Sequence, residues 1–352
     1  MANTTTYLSG GRIQGRSDDF TLASIPQTSW KELGRSTLSS AGDVLDSGTI
    51  AAKDNLMILV IGYKSGSAST EKLQFNADTE DNYSERHSEN GGSDSTSINQ
   101  DHIELSIDGE DDEFTVLTVR NIASKEKLVI GHTVARQGGT GTGTAPTRWE
   151  VVGKWANTSN QITRVQVTNP YGGDLDTGSE MVVLGMDDDE ADSGTNFWQE
   201  LGAVNQSTNS RSIDTGTITA KKYLLIQANY KYTSGNDPFL QFNSDHASNY
   251  LYRRSMDDGA DSTTGGQGGF HNNANSNYNF FDDIYVINVS NKEKIGIIHT
   301  THDAGNTGAG TAPSRREYVG KWTNTSDSIT SVQYYLDSTG NMQGQLRVWG
   351  SN

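Results

Sequence analysis

Two segments with oxygen-bearing side chains at regular spacing are the first candidates for chemistry in this sequence. They are FNADTEDNY and FNSDHASNY, and each carries an asparagine and an aspartate two residues apart, followed by Asn-Tyr. Oxygen ligands at alternate positions could hold a hard cation such as calcium, with Asn76, Asp78, Asn243 and Asp245 as ligands. The alternative is an Asx turn at the end of a strand, in which these side chains bind backbone amides. The glycine and terminal glutamate of a full calcium loop are missing, which favours the turn.

Histidines form the second set of candidates. His132 and His299 follow the similar apolar segments LVIG and IGII, and we interpret both as hydrogen-bonded strand ends. A metal site needs several converging ligands. His302 and Asp303 occur only beside the second of these histidines, so a metal site is a hypothesis for that copy alone.

A third candidate is the segment GGQGGFHNNANSNYNFF. Its glycines and asparagines are typical of a loop, and Phe270, His271 and Tyr278 add rings to it. Such a loop could bind a sugar or a neighbouring subunit. The alternative is a mobile insertion without a partner.

Motifs of common catalytic mechanisms are missing from the sequence. The chain has no cysteine, and no G-x-S-x-G element stands between a strand and a helix. The acidic run DGEDDEF is typical of a solvated loop. The segment GGTGTGTAP is rich in glycine but lacks the lysine and following helix of a phosphate-binding loop. We therefore predict that the protein is not an enzyme and needs no cofactor, calcium being the one possible ion.

Composition excludes further classes. The chain has 352 residues, a formal net charge of −17 and only 32% hydrophobic residues. An acidic surface repels a phosphate backbone, so a nucleic-acid partner is disfavoured. The charge fits either solubility at high concentration, or an origin in salt water or crowding in a large assembly. The N-terminal segment does not have the pattern of a secretory signal, and the longest apolar run, LMILVIGY, is too short to span a bilayer.

Most of the sequence consists of two similar copies, one after the other. TAPTRWEVVGKWANTS returns as TAPSRREYVGKWTNTS, and WKELG returns as WQELG. A copy of about 155 residues has the size of a whole domain, so we predict a tandem duplication. The predicted divisions are an N-terminal arm (1–29), a first domain (30–185), an acidic linker (186–196) and a second domain (197–352).

Each copy has the pattern of an all-β domain. Apolar residues alternate with polar ones in segments such as QITRVQV, and Gly, Asn, Asp and Ser clusters separate them. LMILVIGY has the continuous apolar content of a strand that is buried on both faces. About eight to ten antiparallel strands per copy predict a β-sandwich, most simply a jelly roll. Trp155 and Trp322 are predicted to pack against the sheets rather than to form a ligand platform.

Both copies also resemble a known family. LQFNADTEDNY, KWANTSNQITRVQV and GSEMVVLG are similar to a β-sandwich domain with the pattern FNxDxxxNY and NTSxxIT, which recurs in structural proteins of tailed bacteriophages, especially aquatic ones. The resemblance covers most of the chain. It implies a role in the virion as a decoration, spike, fibre or capsid component, and it supplies no catalytic residues. The second copy departs at DHASNY, where Asp-Thr is lost, which weakens a shared ion site.

Three functions follow as hypotheses. The first is a viral particle protein, made in the host cytoplasm and released by lysis, whose partners are other virion proteins and itself, with a homotrimer favoured. The second is a carbohydrate-binding or receptor-binding adhesin module that contacts a host surface glycan. The third is a polysaccharide lyase or hydrolase on a sandwich scaffold, which would need a cleft with converging carboxylates.

Overall fold

The computed structural model describes residues 30–65, 71–105, 112–136, 138–170, 174–188, 196–233, 237–257, 259–271, 277–303, 309–338 and 340–352. The predicted arm and most of the predicted linker lie outside these ranges. All regular structure in the described residues is β-strand, which confirms the all-β prediction. The described part of the chain accordingly holds no helix that could cross a membrane.

The first half of the chain forms fourteen of the described strands. In chain order they are β1 (Lys31–Thr37), β2 (Val44–Asp46), β3 (Asn55–Gly62), β4 (Lys64–Ser65), β5 (Lys72–Phe75), β6 (Tyr83–Glu89), β7 (Ser95–Gln100), β8 (Ile103–Glu104), β9 (Glu113–Arg120), β10 (Lys127–Ala135), β11 (Thr147–Trp155), β12 (Val165–Thr168), β13 (Asp174–Leu175) and β14 (Glu180–Met186).

These strands form a sandwich with a jelly-roll order. The large sheet runs β1-β14-β3-β9-β10-β11-β6-β7, and the small sheet runs β2-β12-β5-β8. The strands β1, β14, β3 and β9 face the small sheet in the order expected of an eight-stranded jelly roll. The remaining strands β10, β11, β6 and β7 extend the large sheet beyond the jelly roll, and β4 pairs separately with β13.

The second half repeats this topology. Its strands are β15 (Gln199–Ser210), β16 (Ser212–Asp214), β17 (Tyr223–Tyr232), β18 (Phe239–Phe242), β19 (Tyr250–Met256), β20 (Ser262–Gln267), β21 (Phe270–His271), β22 (Asn279–Ile287), β23 (Lys294–His302), β24 (Ser314–Trp322), β25 (Val332–Tyr335) and β26 (Met342–Ser351). The large sheet runs β15-β26-β17-β22-β23-β24-β19-β20 and the small sheet β16-β25-β18-β21. Strand for strand, this is the order of the first sandwich, so the duplicated sequence folds into two alike sandwiches.

Each large sheet is buried on both faces near its centre. On β3, Leu56, Ile58 and Val60 point into the core between the two sheets of the first sandwich. The alternate residues Met57 and Leu59 point outward, yet they are buried as well. This explains the unbroken apolar run LMILVIGY, because period-two alternation disappears when both faces of a strand are covered.

The outward residues meet the large sheet of the other sandwich in a shared apolar layer, here called the seam. The ring of Phe114 contacts that of Tyr223 at 6.4 Å between centroids, and the Tyr223 hydroxyl donates to Glu180 at 2.7 Å. The seam is formed by Met57, Leu59, Ile61, Tyr63, Phe114, Val116, Val134, Val182 and Leu184 of the first sandwich with Phe197, Trp198, Tyr223, Leu225, Ile287, Ile295, Ile297 and Val319 of the second. The two sandwiches therefore share an apolar layer in addition to the core that each has of its own.

The described ends of the predicted linker are held to this body. Met186 is the last residue of β14. Asp187 pairs with Lys53 at 2.8 Å, and Asp188 pairs with Arg120 at 2.6 Å. On the far side, the backbone N–H of Phe197 donates to the carbonyl of Trp30 at 2.8 Å. The chain enters and leaves this segment at fixed points.

A truncation in the seam tests whether the sandwiches stay packed together in solution. Leu59→Ala removes a fully buried side chain that points away from its own sandwich core. We expect a loss of about 2–4 kcal/mol in the free energy of unfolding, measured by denaturant titration. The exposed Ile98→Ala serves as the control and should change that free energy by less than about 0.5 kcal/mol. Equal, small effects of both changes would show that the seam is open in solution.

Candidate functional site

The candidate calcium ligands Asp78 and Asp245 sit in two equivalent turns. The carboxylate of Asp78 accepts hydrogen bonds from the backbone N–H of Glu80 at 3.0 Å, from Asn82 at 2.9 Å and from the buried Trp155 indole N–H at 2.7 Å. Partial burial opposes ionisation, but these hydrogen bonds lower the pKa of Asp78 below its usual value. This is an Asx turn with an additional bond to a core tryptophan.

The second copy reproduces the turn. Asp245 accepts from the N–H of Ala247 at 2.9 Å, from Asn249 at 2.8 Å and from the indole N–H of Trp322 at 2.8 Å. Both tryptophan rings are buried, so the predicted packing against the sheet is confirmed. The aspartates thus satisfy polar atoms of the core.

The paired asparagines also bind backbone. The side-chain oxygen of Asn76 accepts from the N–H groups of Thr163 at 2.8 Å and Arg164 at 3.1 Å, and its φ of 54° is in the left-handed region that asparagine tolerates. Asn243 makes the same contacts with Thr330 and Ser331. The geometry has the features of the turn alternative, and calcium binding stays a prediction.

The three predicted partner-binding rings lie in different surroundings. Phe270 is a core residue, packed edge-on against Tyr250 at 5.2 Å, which removes it from a surface set. His271 stacks on Phe239 at 4.8 Å, and Tyr278 stacks on His302 at 5.0 Å. Residues 272–276 between them lie outside the described ranges.

His132 and His299 are brought together by the seam. They lie within β10 and β23 rather than at strand ends, and their rings meet edge to face at 4.4 Å. Burial lowers the pKa of both, to about 3 for His132, so both are neutral at physiological pH. This pairing was not predicted from the sequence. Where two repeats are related by a two-fold axis, equivalent residues can meet at that axis. His302 lies elsewhere, 3.2 Å from the guanidinium of Arg316.

Beside the histidine pair lies a cleft of about 200 Å³, which is lined in part by His132, Glu150 and Glu317. Arg148, which is almost fully buried, bridges the two sandwiches: it contacts Glu150 of its own strand, Glu317 at 3.0 Å and Asp261 at 2.6 Å. Glu150 and Glu317 are equivalent residues of β11 and β24. Three carboxylates from both repeats thus converge on one guanidinium.

The two glutamates have different proton affinities. Burial, together with the negative charge of Glu317, raises the pKa of Glu150 to about 7. Burial opposes ionisation of Glu317 too, but the hydrogen bond from Glu150 and the charges of Arg315 and Arg148 lower its pKa. Below about pH 7 the pair therefore holds one proton, which resides mainly on Glu150.

From this cleft a groove of about 480 Å³ continues over the strands that extend the first jelly roll. Its floor is formed by Leu128, Ile130 and Val152, which are 57%, 54% and 50% exposed. Arg86 and Lys154 lie at its edges. The residues of β10 alternate between the core and this surface, so both faces of the strand are apolar, and only one of them is covered.

The groove was not predicted from the sequence. The segment KLVIGHTVA reads as an ordinary buried strand, and its counterpart KIGIIHTTH is indeed buried over Lys294–Ile298. The available signal was the continuous apolar run, which requires a cover on both faces. Sequence alone does not say which of the two copies has that cover.

Comparisons with known proteins add little to this geometry. No protein-family model matches the chain, and no curated protein matches it. Among solved structures, domains LG4-5 of the mouse laminin α1 chain align with a TM-score of 0.18 at 11% identity, covering 89% of this chain and 87% of that one. OpdQ of Pseudomonas aeruginosa aligns with a TM-score of 0.11 at 8% identity, covering 84% and 98%. Likenesses at these TM-scores carry no argument about this protein.

The aspartate–tryptophan bond can be tested against calcium binding. Asp78→Ala leaves the indole N–H of Trp155 without its acceptor, and we expect a loss of about 1–3 kcal/mol in the free energy of unfolding. The neighbouring exposed Asp81→Ala is the matched control and should have little effect. The turn predicts no change in Tm with millimolar calcium, whereas a calcium-dependent rise that Asp78→Ala abolishes would establish the ion site.

The glutamate pair predicts a pH dependence. Because the folded-state pKa of Glu150 is raised, its contribution to stability is complete below the ordinary glutamate pKa and is lost as pH rises through about 7. Glu150→Gln removes this dependence. Between pH 5 and 8, its free energy of unfolding should fall by roughly 2–3 kcal/mol less than that of the wild type. Parallel curves for both proteins, as expected of the exposed Glu80→Gln control, would contradict the shared proton.

Proposed function

We propose that the protein is a structural component of a viral particle and acts by assembly and surface contacts. The observation that carries this proposal is the open aliphatic groove on the first sandwich. A contiguous apolar surface of this kind is typical of a protein–protein contact site. The seam supports it further, because it turns the two sandwiches into one body that can transmit a contact. The assignment to a virion rests on the resemblance of both copies to the phage structural domain.

The groove chemistry favours a protein partner over a sugar. Sugar-binding surfaces rely on exposed aromatic rings, whereas the floor here is Leu, Ile and Val. Of the six tryptophans, four are buried and the other two, Trp30 and Trp349, pack partly buried against the seam. Phe281 is the one aromatic among the exposed large hydrophobic side chains of the described residues. The adhesin alternative would need its platform outside these residues.

The cleft carboxylates support a structural role as well. Glu150 and Glu317 are held by the same guanidinium and by each other. A perturbed pKa marks a candidate catalytic site, but ion-pair networks that join domains produce the same shift. The network here connects the two repeats directly at the seam, and we assign it to that task.

The particle assignment is tested on lysates of the infected host. An antiserum against the purified protein should detect it in the gradient fractions that contain intact particles, and it should stay with them after a wash at high salt. The purified protein should show no selective binding on a glycan array, which serves as the control for the adhesin alternative. Detection only in the soluble fractions of a particle-containing lysate would refute the proposal.

A further inference from the structure

The second sandwich shows what covers such a groove. Residues 139–146 of the first copy cross over to it and lie on the outer face of its large sheet. Lys321 donates to the carbonyl of Gly139 at 3.0 Å, and Glu293 accepts from the N–H of Gly141 at 2.5 Å. Arg253 donates to the carbonyl of Pro146 at 2.9 Å. A glycine-rich segment is thus bound through its backbone by three charged side chains.

The open groove carries the same three binding residues. Lys154, Glu126 and Arg86 occupy the repeat positions of Lys321, Glu293 and Arg253. The Lys154–Glu126 pair, at 3.2 Å, is 45% and 42% exposed. Its counterpart, Lys321–Glu293, is 0% and 2% exposed under the bound segment. The charges and their spacing are preserved, but only the pair in the second repeat is covered.

The apolar floor also has buried counterparts. The counterparts of the exposed Leu128, Ile130 and Val152 are Ile295, Ile297 and Val319, which are 1–2% exposed and belong to the seam. In the second repeat the first sandwich thus covers these apolar residues, while the crossing segment binds the charged residues beside them.

A matching segment is present in the second repeat of the same chain. TGTGTAP at residues 140–146 returns as TGAGTAP at residues 307–313, of which 309–313 are described and exposed. The following arginine differs between the repeats: Arg148 is 5% exposed and pairs with Asp261, whereas its counterpart Arg315 is 59% exposed and contacts Glu317 at 3.5 Å. Asp94, the counterpart of Asp261, is 52% exposed, lies at the groove end and contacts Arg86 at 3.4 Å. Groove and segment are therefore both accessible on the same chain, and their surface ion pairs would exchange partners on binding.

We propose that the open groove of the first sandwich binds residues 309–315 of a second copy of this chain. This inference rests on the proposed function and names one contact through which assembly occurs. Lys154 and Arg86 then bind carbonyls of the incoming segment, Glu126 accepts one of its N–H groups, and Arg315 pairs with Asp94. Because groove and segment are different surfaces, the contact is heterologous. Two copies can exchange segments, or successive copies can close into a ring, and a ring of three agrees with the trimer favoured by the sequence.

The position of Gly265 differs between the filled and the open groove in a way that affects the segment. The carbonyl of Thr142 lies so close to Gly265 that a Cβ atom there would come within 2.7 Å of it. Ile98 stands at this position in the open groove, and Ala309 replaces Thr142. The incoming segment must therefore lie farther from β7 at this point, and Ile98→Gly should tighten the contact.

Cysteine pairing tests which chain supplies the segment. The chain has no cysteine, so Ile98→Cys and Ala309→Cys each introduce a single thiol at positions whose counterparts, Gly265 and Thr142, lie in contact. Mixed under mild oxidation, the two variants should form a covalent heterodimer. Val44→Cys, at an exposed position of the small sheet, replaces Ile98→Cys in the control mixture, which should give only background. No excess of heterodimer over this control would overturn the proposal. So would a double variant, Ile98→Cys with Ala309→Cys, that forms only an internal disulfide in dilute solution.

Association measured by analytical ultracentrifugation provides the second readout. Ile130→Asp places a charge on the groove floor and should weaken self-association at least tenfold, while Val44→Asp should leave it unchanged. Ile98→Gly should strengthen it. Oligomers that persist in Ile130→Asp, in a protein still found in particles, would overturn this contact and leave the proposed function intact. Absence of the wild-type protein from particles would instead refute the proposed function.

Discussion

Burial of the large sheets on both faces is the constraint on which the rest of this structure depends. In each sandwich the small sheet covers one face of the large sheet. The other face of the large sheet must meet either water or a partner. Here the residues that point outward from β3, β14 and β9 are as apolar as those that point inward. Apolar burial contributes roughly 25 cal/mol per Å², so two sheets with such outer faces are far more stable together than apart. The duplication therefore yields one body with a shared seam.

The seam also explains where polar chemistry occurs. Equivalent strands of the two repeats approach each other, so equivalent residues meet: His132 meets His299, and Glu150 meets Glu317. Two adjacent carboxylates repel each other when both are ionised. The pKa of Glu150 is therefore raised while that of Glu317 is lowered. Arg148 enters this site from one repeat, while its counterpart Arg315 remains at the surface. The asymmetry that begins with this arginine continues into the groove, which is covered on one sandwich and open on the other.

An open copy of a filled site has a direct physical consequence. The charged residues that bind backbone groups in the second sandwich are present in the first as well. Beside them lie exposed apolar side chains that a partner would remove from water. A surface of this type stabilises whatever segment supplies the missing carbonyls and amides. The strong negative charge of the chain makes its copies repel one another, so the proposed contact through Arg86, Lys154 and Arg315 would give association a defined geometry.

The sequence by itself determined the repeat and the all-β class, and it favoured a jelly roll and Asx turns. These features depend on local pattern: alternation at period two, asparagine and aspartate at strand ends, and the repetition of one sequence along the chain. It also marked LMILVIGY as buried on both sides, without saying by what. Only the tertiary structure decided that the two sandwiches share a seam, that His132 and His299 meet, that Phe270 is a core residue, and that one groove is covered while its twin is open. Those features depend on which distant surfaces come together, and two equivalent segments such as KLVIGHTVA and KIGIIHTTH carry no local signal that separates a covered strand face from an exposed one.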